Sequence, residues 1–396
     1  MKSSRTLALL IGALFAAPAI AGPNDALNLY VGLGWAYDDN LLRIPEGQPG
    51  FDNRRGDSWR TAEGGLVFDH KYSRQRIAAV AKLSKVKFSH FKQLDYDGRD
   101  LGATWYWQLG NRLEGQLGTT YAHVLAPYTD FRSNERNLRQ QRRKFFDGAW
   151  RMHPSWRVRT AFASDEFSYE LASQRFNNRT EDTVELEGGY LPKSGSTIGL
   201  VARQIKGRYP NRRPFGQSGL TDDFTQRELK ARVNWLATGS TTVQILAGWA
   251  ERDQPSFGPG KTSGANGKAT VLYVPRGKMS YSASVWRDFA PLESTIVSYT
   301  LNKGVGLGAI WDATAKIKVE ANAVYERRAF NARRVIPGVG ELSDSIRSAS
   351  LKATWSIRPR IQASTALVHQ ARSGSRAVGT GEFSSNMIAM NLSGQF

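Results

Sequence analysis

Apolar and polar residues alternate one for one along most of the chain. Ile317, Val319, Ala321, Ala323 and Tyr325 interleave with Lys316, Lys318, Glu320, Asn322 and Glu326, broken only by Val324. Leu229, Ala231, Val233 and Trp235 interleave with Glu228, Lys230, Arg232 and Asn234. Trp156, Val158, Thr160 and Phe162 do so with Arg157, Arg159 and two alanines, and Leu113, Leu117 and Tyr121 share a parity opposite Glu114, Gln116 and Thr120. A period of two sends alternate side chains to opposite faces of a strand, and the 3.6-residue period of a helix is absent. Strands of about 9 to 11 residues with one apolar and one polar face are what a membrane-spanning barrel needs.

The connections have a rhythm of their own. Short turns are expected at Tyr72–Gln75, Gly110–Arg112, His153–Ser155, Pro192–Ser196, Ala237–Ser240, Pro275–Lys278, Asp312–Ala315 and Arg358–Pro359. Longer polar stretches fall between them, at Asp38–Asp57, Ala126–Gln140, Tyr209–Asp222, Asp253–Asn266 and Ala329–Asp344, with brief ones near 92–97 and 290–293. Eight short turns and nine outer loops join eighteen strands; sixteen is the alternative, because alternation breaks near 76–91 and 267–274. An even count with both ends on the periplasmic side suits single-chain bacterial barrels. The fold expected is therefore all-β, a transmembrane antiparallel up-and-down barrel with short periplasmic turns and longer extracellular loops. Ile388, Met390 and Leu392 share a parity in the final strand, and the chain ends on Phe396. A closing strand with a terminal aromatic resembles the assembly signal of outer-membrane barrels, although Gly394 stands where an apolar residue is more usual.

The first 21 residues do not follow the alternation. Lys2 and Arg5 precede an apolar run of eleven, Leu7 to Ala17, and Ala19-Ile20-Ala21 offers a small-x-small cleavage site. This reads as a secretory signal peptide, too short to span a membrane as a helix. Residues 22–396 are expected to form a single barrel domain. Cysteine is absent, which excludes disulfides, thiolate metal sites and cysteine nucleophiles. The 54 basic and 35 acidic side chains leave a net charge of +19, a balance that favours anionic partners such as acidic glycans and the phosphorylated headgroups of lipopolysaccharide. Export argues against nucleic acid. Most tryptophans, Trp59, Trp105, Trp107, Trp150, Trp156, Trp235, Trp249, Trp311 and Trp355, lie near proposed strand ends, where interfacial girdles belong.

Candidate chemistry is sparse. Asp38-Asp39 and Asp69-His70 resemble the paired acids and Asp-His of an outer-membrane protease, but the topology puts them at opposite rims, about 25 Å apart, and a base needs hydrogen-bond reach to its water. None of His70, His90, His123, His153 and His369 has a neighbouring nucleophile or a metal-ligand spacing. Gly304, Gly306 and Gly308 lie in a proposed strand and lack the strand–turn–helix setting of a phosphate loop; they suit crowding or curvature. Neither a catalytic activity nor a cofactor or metal is expected. Basic residues remain. Arg143, Arg151, Arg157, Arg159, Lys230, Arg232, Lys316, Lys318 and Arg328 have lumen parity, and Arg132, Arg136, Arg139, Arg212, Arg213, Arg333 and Arg334 cluster in outer loops. A ring of fixed positive charge favours anions. The competing reading is that these residues pair with Glu185, Glu187, Glu228, Glu320 and Glu326 across neighbouring strands, while loop arginines bind outer-leaflet phosphates.

The segment Tyr37-Asp38-Asp39-Asn40, just after the first strand, resembles the EpsL-type outer-membrane proteins that accompany exosortase-linked exopolysaccharide operons, within a wider group of porin-like barrels. Gly306-Leu307-Gly308-Ala309-Ile310-Trp311, Thr314, Lys316-Ile317 and Tyr325-Glu326-Arg327-Arg328 are similar to that family's late strands. The resemblance implies a pore that carries a polysaccharide chain, acidic or polar, across the outer membrane together with periplasmic or inner-membrane export components. The alternatives are a general or oligosaccharide-uptake porin and a non-conducting barrel that anchors a secretion complex or surface glycan. Read physically, Asp38, Asp39 and Asn40 make a tight polar corner whose short side chains bond nearby backbone amides.

Overall fold

The computed structural model describes residues 26–211, 222–255, 261–291, 297–332, 343–375 and 380–396. The leader lies outside these residues, as do Arg212, Arg213, Arg333 and Arg334. The described chain forms eighteen strands: β1 (Leu27–Asp38), β2 (Asp57–Tyr72), β3 (Gln75–Phe88), β4 (Tyr96–Leu109), β5 (Leu113–Leu125), β6 (Leu138–His153), β7 (Trp156–Tyr169), β8 (Arg179–Tyr190) and β9 (Thr197–Arg208), then β10 (Phe224–Leu236), β11 (Thr241–Asp253), β12 (Lys261–Tyr273), β13 (Met279–Pro291), β14 (Val297–Asp312), β15 (Ile317–Ala332), β16 (Ser343–Arg358), β17 (Ile361–Arg372) and β18 (Phe383–Gln395). Every strand pairs antiparallel with its sequence neighbours, and β1 also pairs with β18, Trp35 opposite Met390. The sheet thus closes on itself, and no edge is left facing lipid.

All eight expected turns lie between strands, at the end where β1 begins and β18 ends. There the Leu29 amide donates to the Phe396 carbonyl and the Phe396 amide to the Leu29 carbonyl. The expected outer stretches Ala126–Gln140 and Asp253–Asn266 are too long: β6 starts at Leu138 and β12 at Lys261. The small polar run Ser263–Asn266 has no apolar face to mark it as a strand, yet it pairs with β11 in continuous register. Above the membrane, backbone hydrogen bonds hold a strand without help from lipid.

The period of two is realised as a wall with two faces. In β1, Leu27, Leu29, Val31, Leu33, Trp35 and Tyr37 are exposed outward, while Asn28, Tyr30, Ala36 and Asp38 are buried inward. Trp105, Trp150, Trp156, Trp235, Trp311 and Trp355 are exposed near the short-turn ends, with Trp35 and Trp249 towards the other rim, so two aromatic girdles bound the apolar band. Trp59 departs from the expected girdle. It is buried on the inner face, its ring 5.6 Å from that of Phe88, because inward-folded loops cover it there.

Candidate permeation path

The first site is the lumen wall from β6 to β10. Arg143 pairs with Asp165 (2.6 Å), and Arg157 with Glu187 (3.3 Å). Arg159 is held between Asp147, Glu185 (2.6 Å) and Glu187 (3.5 Å). Arg203 bridges Glu185 (2.6 Å) and Glu228 (3.1 Å), Lys230 meets Glu228 (2.7 Å), and Arg232 meets Glu185 (2.5 Å) and Glu187 (3.2 Å). Arg143 and Asp165 thus form a pair of their own, while five cations, Arg157, Arg159, Arg203, Lys230 and Arg232, share four carboxylates, Asp147, Glu185, Glu187 and Glu228, in one lattice. The arrangement follows from register: Glu185 lies opposite Arg203, which lies opposite Glu228, and cross-strand opposite charges attract. Of the nine basic residues singled out from sequence, four belong to this lattice and Arg143 to the separate pair, and their charge is largely compensated.

The other four do not join it. Arg151 is exposed at the lower end of β6, opposite Arg157. Lys316 is not on a strand but in the β14–β15 turn, because β15 begins one residue later. Lys318 sits 3.9 Å from Asp312 at the same rim. Arg328 is buried at the opposite rim, in the second site.

That second site is the outer mouth, where loops fold inward. The β5–β6 loop, 126–137, carries Tyr128 into an apolar cluster with Leu42 and Ile44 of the β1–β2 loop and Phe91 and Leu94 of the β3–β4 loop, over Trp59, Phe88 and Met387 of the wall. Two residues further on, Asp130 reaches the far side. Its carboxylate accepts from Arg328 of β15 (3.0 Å) and Arg372 of β17 (3.0 Å), and Arg372 also donates to the Thr129 carbonyl (2.5 Å). Asp344 holds Arg328 from below, at 2.8 and 2.7 Å. β15 stands eight places from β5 in an eighteen-strand ring, so the loop crosses close to a diameter. Burial works to raise the pKa of Asp130, but Arg328 and Arg372 outweigh it and hold the carboxylate below its ordinary range.

Small residues line part of the lumen face from β13 to β16. Ser282 and Ser284 of β13 face Gly308 and Gly306 of β14 across the ladder, Ser280 shares their parity, and Ser348, Ser350 and Thr354 of β16 continue the face beside the cross-strand pair of Glu320 and Lys352. One aromatic breaks it. The Trp286 indole lies over Gly304, where a Cβ would come within 2.2 Å of the ring, and its Nε1 donates to Glu326 (2.9 Å). The glycine thus makes room for a flat ring on the lumen wall.

The Tyr37–Asn40 corner lies away from this path. Tyr37 faces outward. Asp38 is buried, pairing with Arg43 (2.8 Å) and accepting from Ser385 (2.7 Å). Asp39 accepts from the amide and side chain of Asn386, both at 2.7 Å, and Asn40 donates to the carbonyls of Ile44 and Ser384, both at 2.9 Å. These bonds staple the end of β1 to β18, at the seam where the barrel closes. Replacing Asp38 with alanine strands Arg43 and Ser385 and is expected to lower stability by about 1 to 3 kcal/mol, read as an earlier loss of the heat-modifiable folded band on electrophoresis. Asp69, at the other rim, pairs with Arg76, a full strand length from the Asp38 corner, so the protease-like pairs never meet. No cluster of three or more metal-ligating side chains occurs among the described residues.

Sequence reasoning missed Asp130, Asp344, Arg372, Arg203 and Trp286. Arg203 carried a usable signal, a basic residue of lumen parity on a strand. Asp130 carried none, because nothing local reports how far a loop tip will reach.

No family model matches the chain, and no curated protein matches it. Solved structures do. OccAB3 of Acinetobacter baumannii aligns over 93% of this chain and 99% of its own, at 9% identity and a TM-score of 0.50. OccK5 (OpdH) of Pseudomonas aeruginosa aligns over 95% and 100%, at 12% identity and a TM-score of 0.50. The chain has the closed-barrel fold of these outer-membrane proteins. At such identities the likeness carries the fold, and the porin-like barrel's lumen chemistry has to be read from its own residues.

Proposed function

We propose that this barrel is a selective uptake porin for small polar solutes, up to oligosaccharide size. The observation that carries the reading is the β5–β6 loop pinned across the mouth through Asp130. It spans the mouth above a charge-compensated lattice and a lumen face that carries several serines. Hydroxyl groups on that wall offer both donors and acceptors to sugar hydroxyls, and Trp286 gives an apolar ring face of the kind sugars stack on.

The test is swelling of proteoliposomes in isotonic mono-, di-, tri- and hexasaccharides. The expected result is fast swelling with the smaller sugars and a sharp fall by the hexasaccharide. Equal rates for all would remove the constriction from the reading, and no swelling at all would favour the anchoring barrel.

Exopolysaccharide export, the role implied by the EpsL resemblance, is the second reading. Its favouring observation is the Tyr37–Asn40 motif, but that motif fastens the seam and touches no permeant. A continuous polymer would also need the loop to leave the mouth. Polymer trapped in the periplasm of a deletion strain would reinstate export, together with its periplasmic or inner-membrane partners.

A further inference from the structure

The wall of the barrel is interrupted between β12 and β13. Their ladder runs from Tyr273 opposite Tyr281 up to Gly267 opposite Arg287 and stops there, although β12 continues to Lys261 and β13 to Pro291. Each strand stays paired on its other side, β12 with β11 as far as Lys261 opposite Asp253, and β13 with β14 as far as Pro291 opposite Tyr299. The two strands therefore diverge above Arg287, and the edges that face each other, 261–266 and 288–291, exchange no ladder hydrogen bonds. The sequence explains the parting. Ser263, Gly264, Ala265, Asn266 and Gly267 carry little side chain to pack across a seam, and Pro291 has no amide to donate. Side chains bound the gap above, where the Thr262 and Tyr299 hydroxyls lie 3.1 Å apart. From Gly267 up to Thr262 the gap is about 17 Å tall.

One side chain stands in this window. Arg287 has outward parity on β13, but its guanidinium turns in through the wall to Gly264, where a Cβ would lie 3.3 Å from Nη2. Its Nε is buried without a hydrogen-bond partner. Asp288, the next residue, has lumen parity with its partner Asn302. Below the window the outer wall is concave. A groove of about 860 Å³, lined among others by Val271, Ala283, Leu307, Ala323, Ala349 and Leu367, starts on β12 and β13 and runs on across the neighbouring strands. Val271 and Ala283, a pair in the same ladder, stand about 13 Å below Arg287. A guanidinium set inside the wall, with an apolar groove leading down from it, suits a single alkyl chain that ends in an anionic head. The head has to enter between two strands to meet Arg287, which one chain allows and the splayed chains of a bilayer lipid obstruct. Charge-assisted bonds from the guanidinium would hold it, and the unpaired strand edges offer further backbone donors.

We propose that the β12–β13 window is a lateral binding site for a single-chain amphipathic anion, its head at Arg287 within the wall and its tail in the groove below. Val285 and Val305 form the next outward row beneath Arg287, so the window rises from the upper edge of the apolar band. The head then lies at headgroup level and the tail among lipid chains. The site is separate from the Asp130 mouth and the charged lattice, and it does not rest on the uptake reading.

Two measurements on the full-length barrel test it. The chain has no cysteine, so an introduced pair reports on its own strands alone. Ala269→Cys/Val285→Cys, at partners in the paired part of the ladder, is expected to form a disulfide on mild oxidation. Ala265→Cys/Phe289→Cys, the same register carried up into the window, is expected to do so about tenfold more slowly or not at all. The purified barrel in a non-ionic detergent is then titrated with decyl phosphate, decanol, inorganic phosphate and dioleoyl phosphatidate, and read by native mass spectrometry. Wild type is expected to retain decyl phosphate and to hold the other three about tenfold or more weakly. Arg287→Gln and Gly264→Leu, which fills the space for the head, are each expected to lose about tenfold in affinity for it. Arg347→Gln, at an exposed cation elsewhere on the outer wall, should match wild type. Heat-modifiable mobility confirms that each variant is folded. Equal disulfide rates at the two positions remove the window and overturn the proposal. So does full affinity in folded Arg287→Gln, or decanol held as tightly as decyl phosphate. Displacement by inorganic phosphate at equal concentration would make Arg287 a site for the free anion, and equal retention of phosphatidate would make the groove a site for bilayer lipid; either result also overturns it.

Discussion

Replacing Asp130 with alanine is expected to raise single-channel conductance in planar bilayers about two- to threefold, by freeing the strap across the mouth. The carboxylate is the group through which the β5–β6 loop holds both Arg328 and Arg372. Without it the two arginines keep Asp344, at 2.7 Å from Arg328 and 3.8 Å from Arg372, so the far wall stays intact while the loop tip is left with the Arg372 bond to the Thr129 carbonyl. Tyr128 still anchors the near half of the loop in its apolar cluster, so the loop swings rather than unfolds. Asp130→Asn separates charge from size and is expected to open the mouth nearly as far.

The pH dependence follows from the direction of the Asp130 shift. The arginines depress its pKa, so the strap is held at every pH above the ordinary aspartate value of about 3.9 and released only below it. Conductance should stay flat from neutral pH down to that value and then rise, and Asp130→Asn should abolish the step. An unchanged conductance in both variants would mean that the loop does not obstruct the path, and the uptake reading would lose its main support.

The second large effect is expected at Glu185. Its carboxylate serves Arg159, Arg203 and Arg232 at 2.6, 2.6 and 2.5 Å. Glu185→Gln leaves five cations against three acids in the lattice and is expected to raise chloride over potassium permeability about two- to fivefold, read from the reversal potential in a salt gradient. Removing one partner from a buried network costs about 3 to 5 kcal/mol, but these guanidinium groups are about a fifth exposed to the lumen, so about 1 to 3 kcal/mol is the better expectation after screening. Glu185→Gln/Arg203→Gln restores the charge balance and should return the selectivity most of the way. Failure of that rescue would show that the selectivity filter lies elsewhere, at the Asp130 mouth or the lower rim.

The basic lumen residues show where inference from a single strand stops. Parity placed Arg157, Arg159, Lys230 and Arg232 on the inner face correctly, because alternation is a local property of the strand. Parity says nothing about which residue of the next strand comes opposite, and one residue of slip would exchange every pairing. The anion-favouring ring and the compensated lattice were equally compatible with the sequence; register decided for the lattice.

The sequence by itself determined the barrel. Alternation, the eight short turns and the rhythm of the loops specify an up-and-down barrel of eighteen strands, with sixteen as the alternative, and its two faces, since each of these depends on neighbours in the chain. Only the tertiary structure decided the mouth and the β12–β13 window. Asp130 meets Arg328 across 198 positions of sequence, and Arg287 comes to lie against Gly264 only where the β12–β13 ladder has stopped. Both arise when the sheet closes and its loops fall inward. Which side chains then meet depends on the curvature and stagger of the whole wall, which no segment encodes alone.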